Sequence, residues 1–215
     1  MTALETTLSK NKLIPVVAID RVEDISPLCE ALLEGGISTI EITLRTDAAL
    51  ASIVEAARNF PEMVVGAGTI LTADHVNAVR DSGAAYGVSP GLTDKLQVAI
   101  DLSGLAFLPG ASTASEVMKN LEYGYSTQKF FPAEAAGGVN YLKSLSSPLS
   151  GVKFCPTGGV NEKNIVSYLD VPNVICVGGS WFVTSDKIKS GNWKRITEEV
   201  RKVLGHIDDI SEENK

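Results

Sequence analysis

A single lysine inside an aromatic segment, Thr127-Gln128-Lys129-Phe130-Phe131-Pro132-Ala133-Glu134, is the group in this chain best suited to covalent chemistry. An exposed lysine with a pKa of about 10.4 is a free amine in only roughly one molecule in 2,500 at pH 7. Apolar surroundings disfavour the charged form. Tuning to about 7–8 yields an amine that can attack a carbonyl and form a Schiff base, at a cost of roughly 4 kcal/mol. A second polar set lies in Ile40-Glu41-Ile42-Thr43-Leu44-Arg45. A carboxylate beside such an amine can move protons for it, and a guanidinium can clamp a substrate carboxylate with its fork of donors. Small residues in Gly66-Ala67-Gly68-Thr69 and Ser89-Pro90-Gly91 let a ligand approach the backbone. The pairs in Thr157-Gly158-Gly159 and Gly178-Gly179-Ser180 suit anion-binding turns, although any tight turn favours glycine.

These groups need elements to hold them. Short runs rich in Val, Ile and Phe alternate with stretches of helical period, and eight such runs are predicted as strands: Leu13–Ile19, Thr39–Leu44, Val64–Thr69, Ala85–Ser89, Leu105–Pro109, Gln128–Phe131, Lys153–Thr157 and Val174–Gly178. Thr113 with Glu116 makes a capping-box pattern, Thr72 precedes a helix start, and Thr93-Asp94 opens a helix ending near Leu102. A final amphipathic helix from Trp193 carries Ile196, Val200, Val203 and Leu204 on one stripe. Alternation at this pitch implies parallel strands with crossover helices, and eight units favour a closed (β/α)8 TIM barrel in the α/β class.

In such barrels the active site forms at the C-terminal strand ends, and the loops after strands seven and eight often bind phosphate. Side chains alternate along a strand, so Lys129 and Phe131 face one way while Gln128 and Phe130 face the other. By the same rule Glu41, Thr43 and Arg45 share the face opposite Ile40, Ile42 and Leu44. At about 3.3 Å per residue Glu41 and Arg45 stand some 13 Å apart, too far for an ion pair. This places Glu41 deep beside the lysine and Arg45 at the mouth. The bland alternative is a solvated strand-end lysine and an edge strand with one wet face.

Composition narrows the classes. The chain has 215 residues, 44% of them hydrophobic, which predicts one soluble domain over residues 1–215, with a short N-terminal extension and an acidic, frayed C-terminal tail at Asp208–Glu213. A formal charge of −7 argues against a nucleic-acid or anionic-membrane partner. The three cysteines, Cys29, Cys155 and Cys176, form no CxxC pair and leave an odd one over, so a reducing, cytoplasmic setting is expected. No membrane span or leader is expected either. His75 and His206 have no metal-ligand spacing, so neither a metal nor a cofactor is expected.

The segments Glu41-Ile42-Thr43-Leu44-Arg45-Thr46, Gly66-Ala67-Gly68-Thr69, Ser89-Pro90-Gly91-Leu92-Thr93, Lys129-Phe130-Phe131-Pro132-Ala133-Glu134, Phe154-Cys155-Pro156-Thr157-Gly158-Gly159 and Gly178-Gly179-Ser180-Trp181 occur in family order across nearly the whole chain. In them the chain resembles the 2-keto-3-deoxy-6-phosphogluconate (KDPG) aldolases, also called 4-hydroxy-2-oxoglutarate (KHG) aldolases. The resemblance implies a metal-free class I aldolase that splits KDPG into pyruvate and glyceraldehyde 3-phosphate, or KHG into pyruvate and glyoxylate. By motif position it makes Lys129 the Schiff-base lysine and Glu41 the general acid/base. It makes Arg45 and Thr69 ligands of the pyruvyl carboxylate and Pro90 and Phe131 pocket walls. Thr157 lies near the reacting centre, and Gly158, Gly159, Gly179 and Ser180 match phosphate-binding loops. It also implies a homotrimer and a role in the Entner-Doudoroff pathway.

Three other readings use the same residues. An isomerase, epimerase or decarboxylase on this barrel would use Lys129 only as a cation and form no covalent adduct with pyruvate. A silent phosphosugar-binding protein would leave Glu41 free to be apolar. Within the aldolases, an enzyme for the galactonate epimer of the substrate differs only in C4 stereochemistry, which residue types do not settle.

Overall fold

A computed structural model describes residues 2–213. Among them are nine strands, β1 (Leu13–Val17), β2 (Thr39–Thr43), β3 (Val64–Gly68), β4 (Tyr86–Val88), β5 (Ala106–Leu108), β6 (Gly110–Ala111), β7 (Thr127–Phe130), β8 (Lys153–Pro156) and β9 (Val177–Gly179). The first five and the last form a six-stranded sheet in the order β5-β4-β3-β2-β1-β9, and the others a three-stranded sheet in the order β6-β7-β8. The pairing within both is parallel. The result is an α/β fold whose larger sheet curves as a half-barrel.

The predicted fifth strand ends at Leu108, and beyond Pro109 a further short strand, β6, follows. A proline has no N–H to give to a ladder, but its carbonyl still accepts from the Lys129 amide (2.9 Å). Gly110 follows because a Cβ there would stand 2.2 Å from the Pro90 carbonyl oxygen. The last strand also shifts, starting at Val177 rather than Val174; Val174 keeps only an isolated bridge to Phe154.

Helices cover the strands: α1 (Ala3–Lys10), α2 (Ile25–Gly35), α3 (Ala49–Asn59), α4 (Ala73–Asp81), α5 (Asp94–Ser103), α6 (Ala114–Glu122), α7 (Gly138–Ser146), α8 (Ile165–Leu169), α9 (Ser185–Lys189) and α10 (Trp193–Glu213). Thr72, Thr93 and Thr113 cap α4, α5 and α6 through their hydroxyls, and Glu116 completes the capping box of α6. Ile196, Val200 and Val203 on α10 are buried, while Leu204 is half-buried. This helix runs on through the acidic stretch Asp208–Glu213 that was expected to fray; residues 214 and 215 lie outside the described residues.

The short N-terminal extension is a helix. Thr2 caps α1, and Leu8, 1% exposed, joins Ile14, Tyr86, Val88, Leu108, Cys155 and Cys176 in a separate apolar cluster inside the strands. The larger core lies between strands and helices. No helix among the described residues is long and apolar enough to cross a membrane.

Candidate active site

Two buried charged residues belong to different sheets. Glu41 sits in β2, in register with Val16 of β1 and Gly66 of β3; Lys129 sits in β7, in register with Gly110 of β6 and Cys155 of β8. Their side chains meet inside the fold. Nζ of Lys129 donates to Oε1 of Glu41 at 3.0 Å and to Oε2 at 3.3 Å, with the residues 6% and 4% exposed. Burying one such charge alone is expensive, so the pair is mutually required.

Alternation explains how the sequence sets this up. Gln128 and Phe130, the neighbours of Lys129, point outward: the Gln128 side chain bonds Asn120 and the Val117 and Tyr125 carbonyls, and Phe130 stacks with Tyr141 and meets Phe154 edge to face. Lys129 and Phe131 point inward, with Nζ 5.4 Å from the Phe131 ring centroid, within range of a cation–π attraction. On β2, Ile40 and Ile42 pack in the outer core while Glu41 faces inward.

The pair lies on the wall of a cavity of about 370 Å³ at the C-terminal ends of the strands. The structure brings every candidate residue to this wall: Lys129, Glu41, Arg45 and Thr69, with Pro90 and Phe131 beside them. Thr157, Gly158, Gly159, Gly179 and Ser180 complete the far side. Arg45 is exposed at the mouth and lies past the end of β2, in a turn closed by its amide donating to the Thr43 carbonyl (2.8 Å). The sequence-based spacing had treated it as strand. No carboxylate among the described residues pairs with its guanidinium.

Several wall positions are shaped by close approach. Thr69 has φ 62°, left-handed backbone that a β-branched residue rarely adopts, and such conformations cluster where ligands are held. Gly178 leaves room for Thr157, whose Oγ1 would lie 2.4 Å from a Cβ there. Gly158 and Gly159 have φ values of 97° and 84°, a turn only glycine enters without strain. No helix N-terminus follows either glycine pair directly, since α8 and α9 begin only at Ile165 and Ser185. Glycine backbone, not a long helix, lines this side.

Sequence reasoning missed two wall residues, Val16 and Val160. Val16 could have been found by inward alternation on the first strand. Val160 carries no signal beyond its place after a glycine pair.

The family model for KDPG and KHG aldolase matches residues 4–199. A 2-dehydro-3-deoxy-phosphogluconate aldolase from Pseudoalteromonas atlantica is 43% identical over 194 residues, covering 90% of this chain and 90% of its own. The crystal structure of the KDPG aldolase of Legionella pneumophila, with pyruvate captured as a covalent carbinolamine intermediate, superposes with TM-score 0.91 at 44% identity, over 94% of this chain and 98% of that one. The Zymomonas mobilis enzyme, solved with 3-phosphoglycerate, gives TM-score 0.88 at 38% identity, over 94% of each.

Proposed function

This chain belongs to the KDPG and KHG aldolase family, and from that premise we infer that it is a class I aldolase, cleaving KDPG to pyruvate and glyceraldehyde 3-phosphate and acting on KHG through the same imine. The observation that carries the reading is the 3.0 Å contact between Lys129 Nζ and Glu41 Oε1 at the buried end of the cavity. An amine and a carboxylate within hydrogen-bond reach can exchange the proton that nucleophilic addition releases.

Lys129 adds to the C2 keto group, and Glu41 helps the carbinolamine lose water. The protonated imine then accepts the electron pair of the breaking C3–C4 bond, giving an enamine, while the C4 hydroxyl proton passes to Glu41 through a water. Protonation at C3 and hydrolysis of the imine free pyruvate and the lysine. Arg45 and Thr69 hold the pyruvyl carboxylate in register with the amine. The Gly158-Gly159 and Gly179-Ser180 loops take the phosphate, supplying binding energy remote from the reacting bond.

We also infer that the two sheets close into one (β/α)8 barrel forming a single domain. Support comes from both seams: the Pro109 carbonyl ties the Lys129 amide at one, and bridges join Thr157 to Gly178 and Phe154 to Val174 at the other. A homotrimer is the proposed assembly, consistent with exposed apolar side chains such as Leu102 (83%) and Val98 (59%) on α5. A reducing cytoplasm is the proposed location, consistent with three free, buried cysteines.

The test is borohydride reduction in the presence of pyruvate, with intact mass and peptide mapping, on the parent and on Lys129→Ala. A reduced pyruvyl adduct confined to the Lys129 peptide and absent from the variant is expected. Folded parent protein that traps no pyruvate would refute the aldolase reading.

A further inference from the structure

Glu134 ends the segment that carries Lys129, yet its contacts lead elsewhere. Its amide donates to the Gly158 carbonyl at 3.0 Å, one step beyond the Ala133 amide on Thr157 (2.8 Å), so the ladder between the lysine strand and β8 runs on into the glycine turn. Its side chain lies flat against that turn: a Cβ on Gly159 would stand 2.5 Å from Cγ of Glu134. On the other side, the side-chain amides of Asn161 and Asn164 both donate to the Gly159 carbonyl, at 2.9 and 3.2 Å. The carboxylate of Glu134 receives the hydroxyl of Tyr168, a residue of α8 that is 0% exposed. Burial, and then Glu134 itself, holds that phenol above its ordinary range, so it remains a donor across working pH.

We propose that Tyr168 and Glu134 are positioning residues for the phosphate end of the substrate: the buried hydroxyl fixes the carboxylate side chain, and that side chain fixes the Gly158-Gly159 turn. The proposal rests on the reading of that turn as the phosphate cradle. A turn of two glycines has no side chains of its own to hold its shape, so the restraint must come from what packs on it. The imine end is held independently, by the pairing of β7 with its neighbours and by the contact of Lys129 with Glu41. Loss of the Tyr168–Glu134 contact therefore loosens the anion site and leaves the lysine in place.

The experiment compares KDPG with unphosphorylated KHG as substrates for Tyr168→Phe, which keeps the ring and removes the hydroxyl, and for Glu134→Gln and Glu134→Ala. The expected result for Tyr168→Phe is a KM for KDPG raised about five- to tenfold, as for loss of one charge-assisted hydrogen bond. Its kcat and its kcat/KM for KHG should stay within about twofold of the parent, as should the pyruvate trapped by borohydride. Glu134→Gln, which retains an acceptor, should lie between the parent and Glu134→Ala. Equal losses on both substrates, or an unchanged KM for KDPG in folded variants, would overturn the proposal. If Tyr168→Phe does not fold, the two Glu134 variants carry the same comparison. A parent enzyme that traps no pyruvate would instead sink the aldolase reading beneath it, and the two failures are thus told apart.

Discussion

Gly68 lies directly against the Glu41 side chain: a Cβ at position 68 would stand 2.1 Å from Oε1 of that carboxylate and 2.8 Å from its Cδ. The Glu41 carboxylate occupies the space that a side chain on the next strand would fill, and it reaches Lys129 from there. Gly68→Ala is expected to push the carboxylate off the lysine while leaving the fold intact, because overpacking a core site costs about 1–3 kcal/mol. A displacement of an ångström at a reacting group can cost about 100-fold in rate. Steady-state assay of pyruvate release should show that loss in kcat/KM; activity within threefold of the parent would show that the carboxylate is not held by this contact.

Lys129 and Glu41 are buried together, so stability should depend on keeping or removing both. Truncating one partner of a buried pair typically costs about 3–5 kcal/mol, whereas replacing both with apolar residues is often neutral or stabilising. Lys129→Met alone and Glu41→Leu alone should each lower the urea midpoint, and the double variant should recover most of it. Additive losses in the double variant would contradict the pairing.

Glu116 offers a pH-dependent contribution away from the site. Partial burial pushes its carboxyl up, but the amide and hydroxyl of Ser112 and the capping contacts of Thr113 more than offset this and hold it below its ordinary value of 4.5. A carboxylate depressed in the folded state stabilises above its unfolded pKa, and the contribution disappears as pH falls through the folded value. Glu116→Ala should therefore lower the urea midpoint at pH 7. The gap between parent and variant in urea melts should shrink progressively below about pH 4.5. A gap that persists unchanged at pH 3 would exclude the charge as its source.

The cysteines should be silent in the native protein. Burial, with Glu30 and Glu62 nearby, pushes Cys29 up to about 12. Cys176 is raised well above its ordinary value by its hydrogen bond with Cys155 and by burial. The thiolate is the reactive form. A chromogenic disulfide reagent at pH 8 should therefore titrate no thiol in native protein and all three after denaturation. Rapid reaction of a thiol in native protein would point to an opening of the interior.

Alternation carried most of what was legible in the sequence. It assigned the facing of Lys129 against Gln128 and of Glu41 against Ile40 and Ile42, because a strand buried on both sides imposes a strict period of two. Motif position pointed to the cavity residues beyond the ends of β2 and β3, where alternation fails: Arg45 lies in a turn and Thr69 in left-handed backbone, and neither conformation is encoded by a period. The short strand beyond Pro109 was not legible, since it depends on Gly110 packing against the Pro90 carbonyl in the loop after β4. Nor was α1. Its amphipathic signal is short, and its stability depends on Leu8 entering an apolar interior that local sequence does not describe.

That helix makes the cavity blind. With Leu8 wedged among Ile14, Tyr86, Val88 and Leu108, the interior below the lysine is filled, and traffic passes through the mouth by Arg45. On the proposed chemistry the pyruvyl fragment is tethered at the closed end and the aldehyde lies in front of it. The products must then leave in a fixed queue, aldehyde first and pyruvate last, and the reverse reaction must load them in the opposite order. A helix that touches no substrate thereby dictates the sequence of departures.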